Sequence, residues 1–150
     1  MPQSLSKIYV HLVFSTKNRE RVLGDGIRRD FHSYLGGVLR GVDCHPLEIN
    51  SEPDHVHLLF ELGRKVALSE VVGGLKKSAT EWLRGAGPAF RGFHWQAGYG
   101  AFSVSPSSVE DVREYIRNQR EHHRVRTFQE EFRMFLRRSA IEFDERYVWD

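Results

Sequence analysis

Two groups of side chains in this sequence could do chemistry. In His55-Val56-His57-Leu58-Leu59-Phe60-Glu61-Leu62, a period of two puts Val56, Leu58, Phe60 and Leu62 on one face of a strand. His55 and His57 then project together from the other, about 7 Å apart at ~3.3 Å per residue. Two imidazoles so placed can share one divalent cation; two histidines facing solvent on an open sheet is the alternative that these residues leave open. The second group is Tyr115 and Gln119. On a helix carrying Val109, Val112 and Ile116 as its apolar stripe, Gln119 falls within the stripe and Tyr115 at its edge. An inward glutamine needs hydrogen-bond partners, and residues four apart point from the same side. Alone, Tyr115 reads as an edge aromatic with its hydroxyl in water. Beside a metal-binding pair it becomes a candidate nucleophile, because tyrosine forms covalent intermediates and a cation at the scissile group removes the need for a strong base.

The elements that must position these groups follow from periodicity. Ile8, Val10, Leu12 and Phe14 share one face of a first strand, with Tyr9, His11 and Val13 on the other. Asp25 is placed to cap a helix running to about Gly41, and Leu47–Asn50 predicts a short strand before the Pro53-Asp54 turn and the histidine strand. Ser69 would cap a second helix carrying Val71, Val72, Leu75, Ala79 and Trp82. Gly85–Gly92 reads as a loop, and Phe93–Val104 as a strand interrupted at Gly98 and Gly100. Ser107 and Ser108, followed by Glu110 and Asp111, predict a capping box opening a helix to about His123. Phe128–Arg138 is a further amphipathic helix, and Tyr147–Asp150 a short docking tail. The order β-α-β-β-α-β predicts an α+β, ferredoxin-like (RRM-like) antiparallel sheet with helices on one face, plus a C-terminal tyrosine-bearing helix.

Composition bounds what such a chain can be. One hundred and fifty residues with 40% apolar content suffice for one core, so residues 1–150 are expected to form a single domain. The lone Cys44 excludes an internal disulfide framework and a four-cysteine zinc site. No apolar run approaches the roughly 18 residues of a membrane span, and the start lacks signal-peptide features, so the expectation is a soluble, cytoplasmic protein with no membrane partner. The net charge of +2 conceals alternating blocks: residues 41–63 carry five acids and no base, whereas residues 113–138 carry eight arginines. Arginine is the better bidentate phosphate partner, so the charge permits a nucleic acid without requiring one.

At this point the chain resembles a known family. Pro53-Asp54-His55-Val56-His57-Leu58-Leu59 resembles the HUH motif (histidine, bulky hydrophobe, histidine), and Tyr115-Ile116-Arg117-Asn118-Gln119 the single nucleophilic tyrosine followed by a glutamine one turn later. Together they look like the single-tyrosine HUH transposases, the insertion-sequence-200 group and its repeat-associated relatives. Tyr9–Lys17 is similar to that family's first strand, Gln96–Ser105 to a later one, and Phe143–Trp149 to its ending. The resemblance implies that His55, His57 and Gln119 hold Mg2+ or Mn2+. It implies that Tyr115 attacks a DNA phosphate, leaving a 5′-phosphotyrosine and a free 3′-hydroxyl. It further implies single-stranded DNA with a hairpin as substrate, no small-molecule cofactor, and a homodimer joined sheet edge to sheet edge in which the tyrosine helix completes the partner's metal site. His-His-Gln is a weak cage for a hard cation, so poor metal binding without DNA is expected.

Charge alone nominates Lys17, Arg19, Arg21, Arg117 and Arg120 as DNA-backbone contacts. His122 and His123, three and four residues after Gln119, read as facing phosphate or solvent, and Tyr99 as a packing residue. Two other functions compete: a catalytically silent single-strand binder using exposed aromatics such as Tyr9, and a metal-dependent phosphodiesterase using water. The first has no need of two histidines with Tyr115 and Gln119; the second would keep turnover after Tyr115→Phe. Within the favoured class, a domesticated enzyme processing repeated hairpins and a mobile transposase are not separated by the protein sequence.

Overall fold

The alternating run Tyr9–Ser15 forms β1, a central strand of a four-stranded antiparallel sheet in the computed structural model, which describes residues 2–150. Between β1 and β2 (His45–Glu52) lies α1 (Arg28–Gly41). The chain returns as β3 (His55–Glu61), crosses as α2 (Leu68–Ala86) and adds β4 (Gly100–Val104). The strand order is β2-β3-β1-β4. This is the expected α+β, ferredoxin-like arrangement. Three helices follow: α3 (Val109–Arg117), α4 (Gln119–His122) and α5 (Phe128–Arg138).

The period of two assigns the faces as expected. Leu12, Phe14, Val56, Leu58 and Phe60 pack with Phe31, Leu35 and Leu39 of α1 and with Leu75, Ala79 and Leu83 of α2. Each fully buried large side chain there contributes roughly 1.5–3 kcal/mol of transfer free energy. The opposite face carries His11, Val13, His55, His57 and Phe102. There α5 lays Phe128, Phe132 and Leu136 against Val13 and Phe102. Gly100 lies opposite Val13, and a Cβ at that position would run into the Phe132 ring. The glycine that interrupts the sequence pattern is what lets α5 approach the sheet.

Several local expectations are corrected. Asp25 does not cap α1; it pairs with Arg28 (3.7 Å) and Arg120 (2.6 Å) instead. Ala67 stands at the N-cap of α2, so Ser69 lies inside the helix. Ser107 and Ser108 bond to the Ser105 hydroxyl rather than capping α3. The helix expected to run to His123 breaks at Asn118 (φ −95, ψ 25), and Gln119 opens α4. The predicted strand from Phe93 is reduced to Gly100–Val104 and one bridge, Thr16 to Trp95. Tyr99 is 42% exposed, not packed. Among the described residues no helix is long and apolar enough to cross a membrane.

Candidate active site

Strand alternation aims His55 and His57 at the layer formed by α3–α5, and there they are buried (1% and 0% exposed) rather than open to solvent. The docking of α3 brings Tyr115 over them. Asn50 of β2 lies opposite His57 and donates from Nδ2 to the Ile116 carbonyl at 2.7 Å. Arg113 and Arg117 of α3 both reach Glu48, at 3.4 and 2.9 Å. The break at Asn118 then turns Gln119 inward, fully buried, with its Oε1 3.3 Å from His55 Nε2. Thus Tyr115, Gln119, His55 and His57 meet within one chain. In the single chain, Asn50 and Glu48 hold α3 on its own sheet.

A fifth residue lies between them. Glu131 of α5, 0% exposed, places Oε1 3.0 Å from His57 Nε2, 3.2 Å from His123 Nε2 and 3.6 Å from His55 Nε2. Its Oε2 accepts hydrogen bonds from the Tyr115 hydroxyl and, at 3.2 Å, from Gln119 Nε2. His55, His57, His123 and Glu131 each offer one ligand atom, all within 4.8 Å of one another. Such a donor set can hold a divalent cation.

The outer nitrogens of both strand histidines are also engaged. His55 Nδ1 bonds Asp54 Oδ1 at 2.7 Å, and His57 Nδ1 pairs with His11 Nε2 at 2.8 Å. With its Nδ1 hydrogen given to Asp54, His55 turns the Nε2 lone pair toward the oxygens of Gln119 and Glu131. Lone pairs converging on one point need a proton or a cation between them, and this is the observation by which the residues fit a metal.

Electrostatics follow from burial around one carboxylate. Burial would raise the Glu131 carboxyl, but His57, His123 and His55 outweigh it and hold the group far below the usual range. Burial keeps His57 neutral by lowering its pKa, and burial together with His57 pushes His11 down to about 3. His123 goes the other way: Glu131 overcomes burial and raises it. Burial and then the Glu131 charge raise the Tyr115 hydroxyl well above a free phenol, so this arrangement holds the tyrosine protonated. At Asp54 the bond from His55 outweighs burial, and the carboxyl is lowered.

The remaining expected contacts fall in different places. Arg19 and Arg21 line a cleft of about 430 Å³ together with Asp54, His123, Arg124 and Arg126. Arg19 is aimed by a turn in which it and Asn18 are left-handed (φ 54 and 56). Lys17 is exposed on the same turn. Arg117 is tied to Glu48 and Arg120 to Asp25, outside this cleft. His122 stacks on the Tyr115 ring, 4.4 Å between centroids. His123, expected at phosphate or solvent, is partly buried and lines this cleft, and the turn after α4 also carries its ring back toward Glu131.

Sequence reasoning missed Glu131 and the roles of His11 and Asp54. The signal for Glu131 was present: Phe128, Phe132, Phe135 and Leu136 define the apolar stripe of α5, and Glu131 falls inside it, as Gln119 does on its own helix.

The sheet architecture is that of known transposases. A Deinococcus radiodurans R1 crystal structure at 1.90 Å, described as a candidate transposase, superposes with a TM-score of 0.62 at 24% identity, covering 79% of this chain and 98% of that one. A REP-associated tyrosine transposase bound to a REP hairpin gives a TM-score of 0.61 at 15% identity, covering 82% and 73%. At these identities the likeness establishes the fold. In sequence, residues 4–119 match the family model described as "Transposase IS200 like". The chain belongs to the IS200-like transposase family, whose members cut and join DNA. It is also 25% identical over 114 residues to the ISDra2 transposase TnpA of Deinococcus radiodurans, across 73% of this chain and 81% of that protein.

Proposed function

We propose that this protein cleaves and rejoins single-stranded DNA through a 5′-phosphotyrosine made by Tyr115, recognising a hairpin near the cleavage site. The observation that carries the reading is the convergence of half-buried Tyr115 with the buried Gln119, His55 and His57, from elements about sixty residues apart in sequence. The REP hairpin bound by the structural neighbour supports the form of the substrate.

His55, His57 and Gln119 would hold Mg2+ or Mn2+. When bound, the cation polarises the phosphoryl oxygen and offsets charge on the leaving 3′-oxygen. The chain's own groups do the rest. The Tyr115 oxygen forms the bond to phosphorus and the 3′-oxygen departs with the electrons of the broken bond. Glu131 Oε2, already accepting the tyrosine hydrogen, orients the nucleophile and is the carboxylate within reach of that proton. Asp54 and His11 orient the two imidazoles. The Arg19, Arg21, Arg124 and Arg126 cleft, which His123 also lines, is the proposed path for the strand. Because the broken bond is conserved as a phosphotyrosine ester, a second 3′-hydroxyl reverses the step without an energy cofactor.

The reading treats residues 1–150 as one transposase domain; contacts of Val148 and Trp149 with the second core support this. It places the activity in the cytoplasm. It needs one chain to assemble the site; the homodimer implied by the family resemblance is a separate part of the proposal, checked by sedimentation.

The test is incubation with end-labelled single-stranded DNA from the flanks of its gene, with Mn2+, followed by denaturing gel and intact mass. A covalent adduct in the wild type and none in Tyr115→Phe is expected. Cleavage that persists in Tyr115→Phe without an adduct would overturn the tyrosine mechanism in favour of a water nucleophile.

A further inference from the structure

The family match ends at Gln119, yet two of the groups surrounding the histidine pair, His123 and Glu131, lie beyond it. We propose that His123 and Glu131 are ligands of the cation, so that the site is complete without DNA and takes a first-row transition-metal dication, Zn2+ or Mn2+, in preference to Mg2+. This rests on the assignment of His55 and His57 as metal ligands made above.

The geometry carries the argument. His57 Nε2 and Glu131 Oε1 are 3.0 Å apart, His123 Nε2 and Gln119 Oε1 3.0 Å, His123 Nε2 and Glu131 Oε1 3.2 Å, and His55 Nε2 and Gln119 Oε1 3.3 Å. Neighbouring ligands in an octahedral shell with bonds of about 2.1 Å are about 3.0 Å apart. These four pairs therefore already stand near coordination-edge distances, while His55 Nε2 and Glu131 Oε1 are 3.6 Å apart. The set is also held in place: Asp54 fixes His55, His11 fixes His57, and Glu131 is braced through its second oxygen by Tyr115 and Gln119. A preorganised shell loses little order on binding.

Ligand chemistry decides the ion. Three imidazoles and one carboxylate suit transition dications, whereas Mg2+ demands oxygen and keeps several of its waters. Among the described residues the buried carboxylate has no lysine or arginine within ion-pair distance; the side chains facing it there are the imidazoles of His55, His57 and His123. A dication would supply the missing positive charge. His-His-Gln alone would bind weakly without phosphate; adding Glu131 and His123 reverses that expectation.

The test uses the full chain, stripped of metal and free of DNA, titrated with Mn2+ by calorimetry and electron paramagnetic resonance, with Mg2+ as competitor. Wild type is expected to bind one Mn2+ at least tenfold more tightly than Mg2+. Pulsed resonance should count three coordinated imidazoles, falling to two in His123→Ala. Glu131→Gln should weaken Mn2+ at least tenfold while its circular dichroism is unchanged. Should Glu131→Gln fail to fold, the His123→Ala imidazole count decides. Wild type that binds Mn2+ only after DNA is added, or an unchanged affinity in Glu131→Gln with an unchanged count in His123→Ala, overturns the proposal and leaves His55, His57 and Gln119 as the ligands. Unchanged binding in His57→Ala overturns both this proposal and the metal assignment beneath it.

Discussion

The Tyr115 hydroxyl donates its hydrogen to Glu131, whose other oxygen lies 3.0 Å from His57 Nε2. One carboxylate on α5 thus touches both the proposed nucleophile and the proposed metal-binding pair. Holding the tyrosine protonated, it sets the starting state of the reaction. It also makes the last helix part of the site rather than a cover over it.

The first prediction concerns acid stability of the metal-free protein. The folded-state pKa of His11 is pushed down to about 3 from 6.5. A depressed histidine lets the unfolded chain take up the proton first, so its contribution is present above pH 6.5 and is lost as pH falls from there toward about 3. For His11 the loss is about 2 kcal/mol at pH 5. His32, lowered to about 4 by burial and Arg28, adds to the same window. His11→Gln should flatten the slope of stability between pH 7 and 5 in denaturant titrations; an identical slope removes His11 as a cause.

Asn50 should matter to catalysis through the position of α3. Asn50→Ala removes the 2.7 Å bond to the Ile116 carbonyl and leaves buried partners unsatisfied, costing about 1–3 kcal/mol. The rate of adduct formation should fall by more than Mn2+ affinity does, because Tyr115 moves while β3 does not. Equal adduct rates in mutant and wild type would show that α3 is held by other contacts.

Asp54 should tune the metal without touching it. Asp54→Asn gives His55 Nδ1 a weaker acceptor with an ambiguous orientation, and loss of such a partner typically lowers metal affinity about 10–100-fold. Calorimetric titration with Mn2+ measures this directly. Affinity within twofold of wild type would exclude an orienting role.

Contacts to the DNA backbone can be sorted by salt dependence. Arg19 and Arg124 line the cleft beside His123, and each phosphate contact to a single strand contributes about 0.7 to the slope of log affinity against log salt. Arg19→Ala with Arg124→Ala should lower the slope by about 1.4. Arg117→Ala, whose guanidinium is tied to Glu48 at 2.9 Å, should leave it unchanged. The reverse pattern would move the strand to the outer side of α3.

Much of the site was legible because it depends on short-range periodicity. Alternation along β3 puts His55 and His57 on one side whatever they pack against, and helical spacing puts Gln119 beneath Tyr115 across only four residues. The break at Asn118 was not legible: Arg117-Asn118-Gln119 continues a helical pattern, and the turn is set by where α3 meets β2. The serines before α3 carry the local signature of a cap, yet their hydroxyls bond to one another. Competing partners of similar energy are decided by the surrounding backbone, which a four-residue motif does not contain.

The same distinction divides the chain as a whole. Residue order alone determined the strand and helix sequence, the two faces of the sheet, and the family to which this chain belongs, since these follow from spacings of two to four residues and from motifs read in line. Only the tertiary structure decided that Glu131, seventy-four residues beyond His57, closes the cluster, and that the chain's own tyrosine lies over its own histidines. Both depend on how closely α5 and α3 approach the sheet. That approach is set by the space left at Gly100 for the Phe132 ring and by the Asn50 anchor, which are packing relations between distant segments and leave no local pattern along the chain.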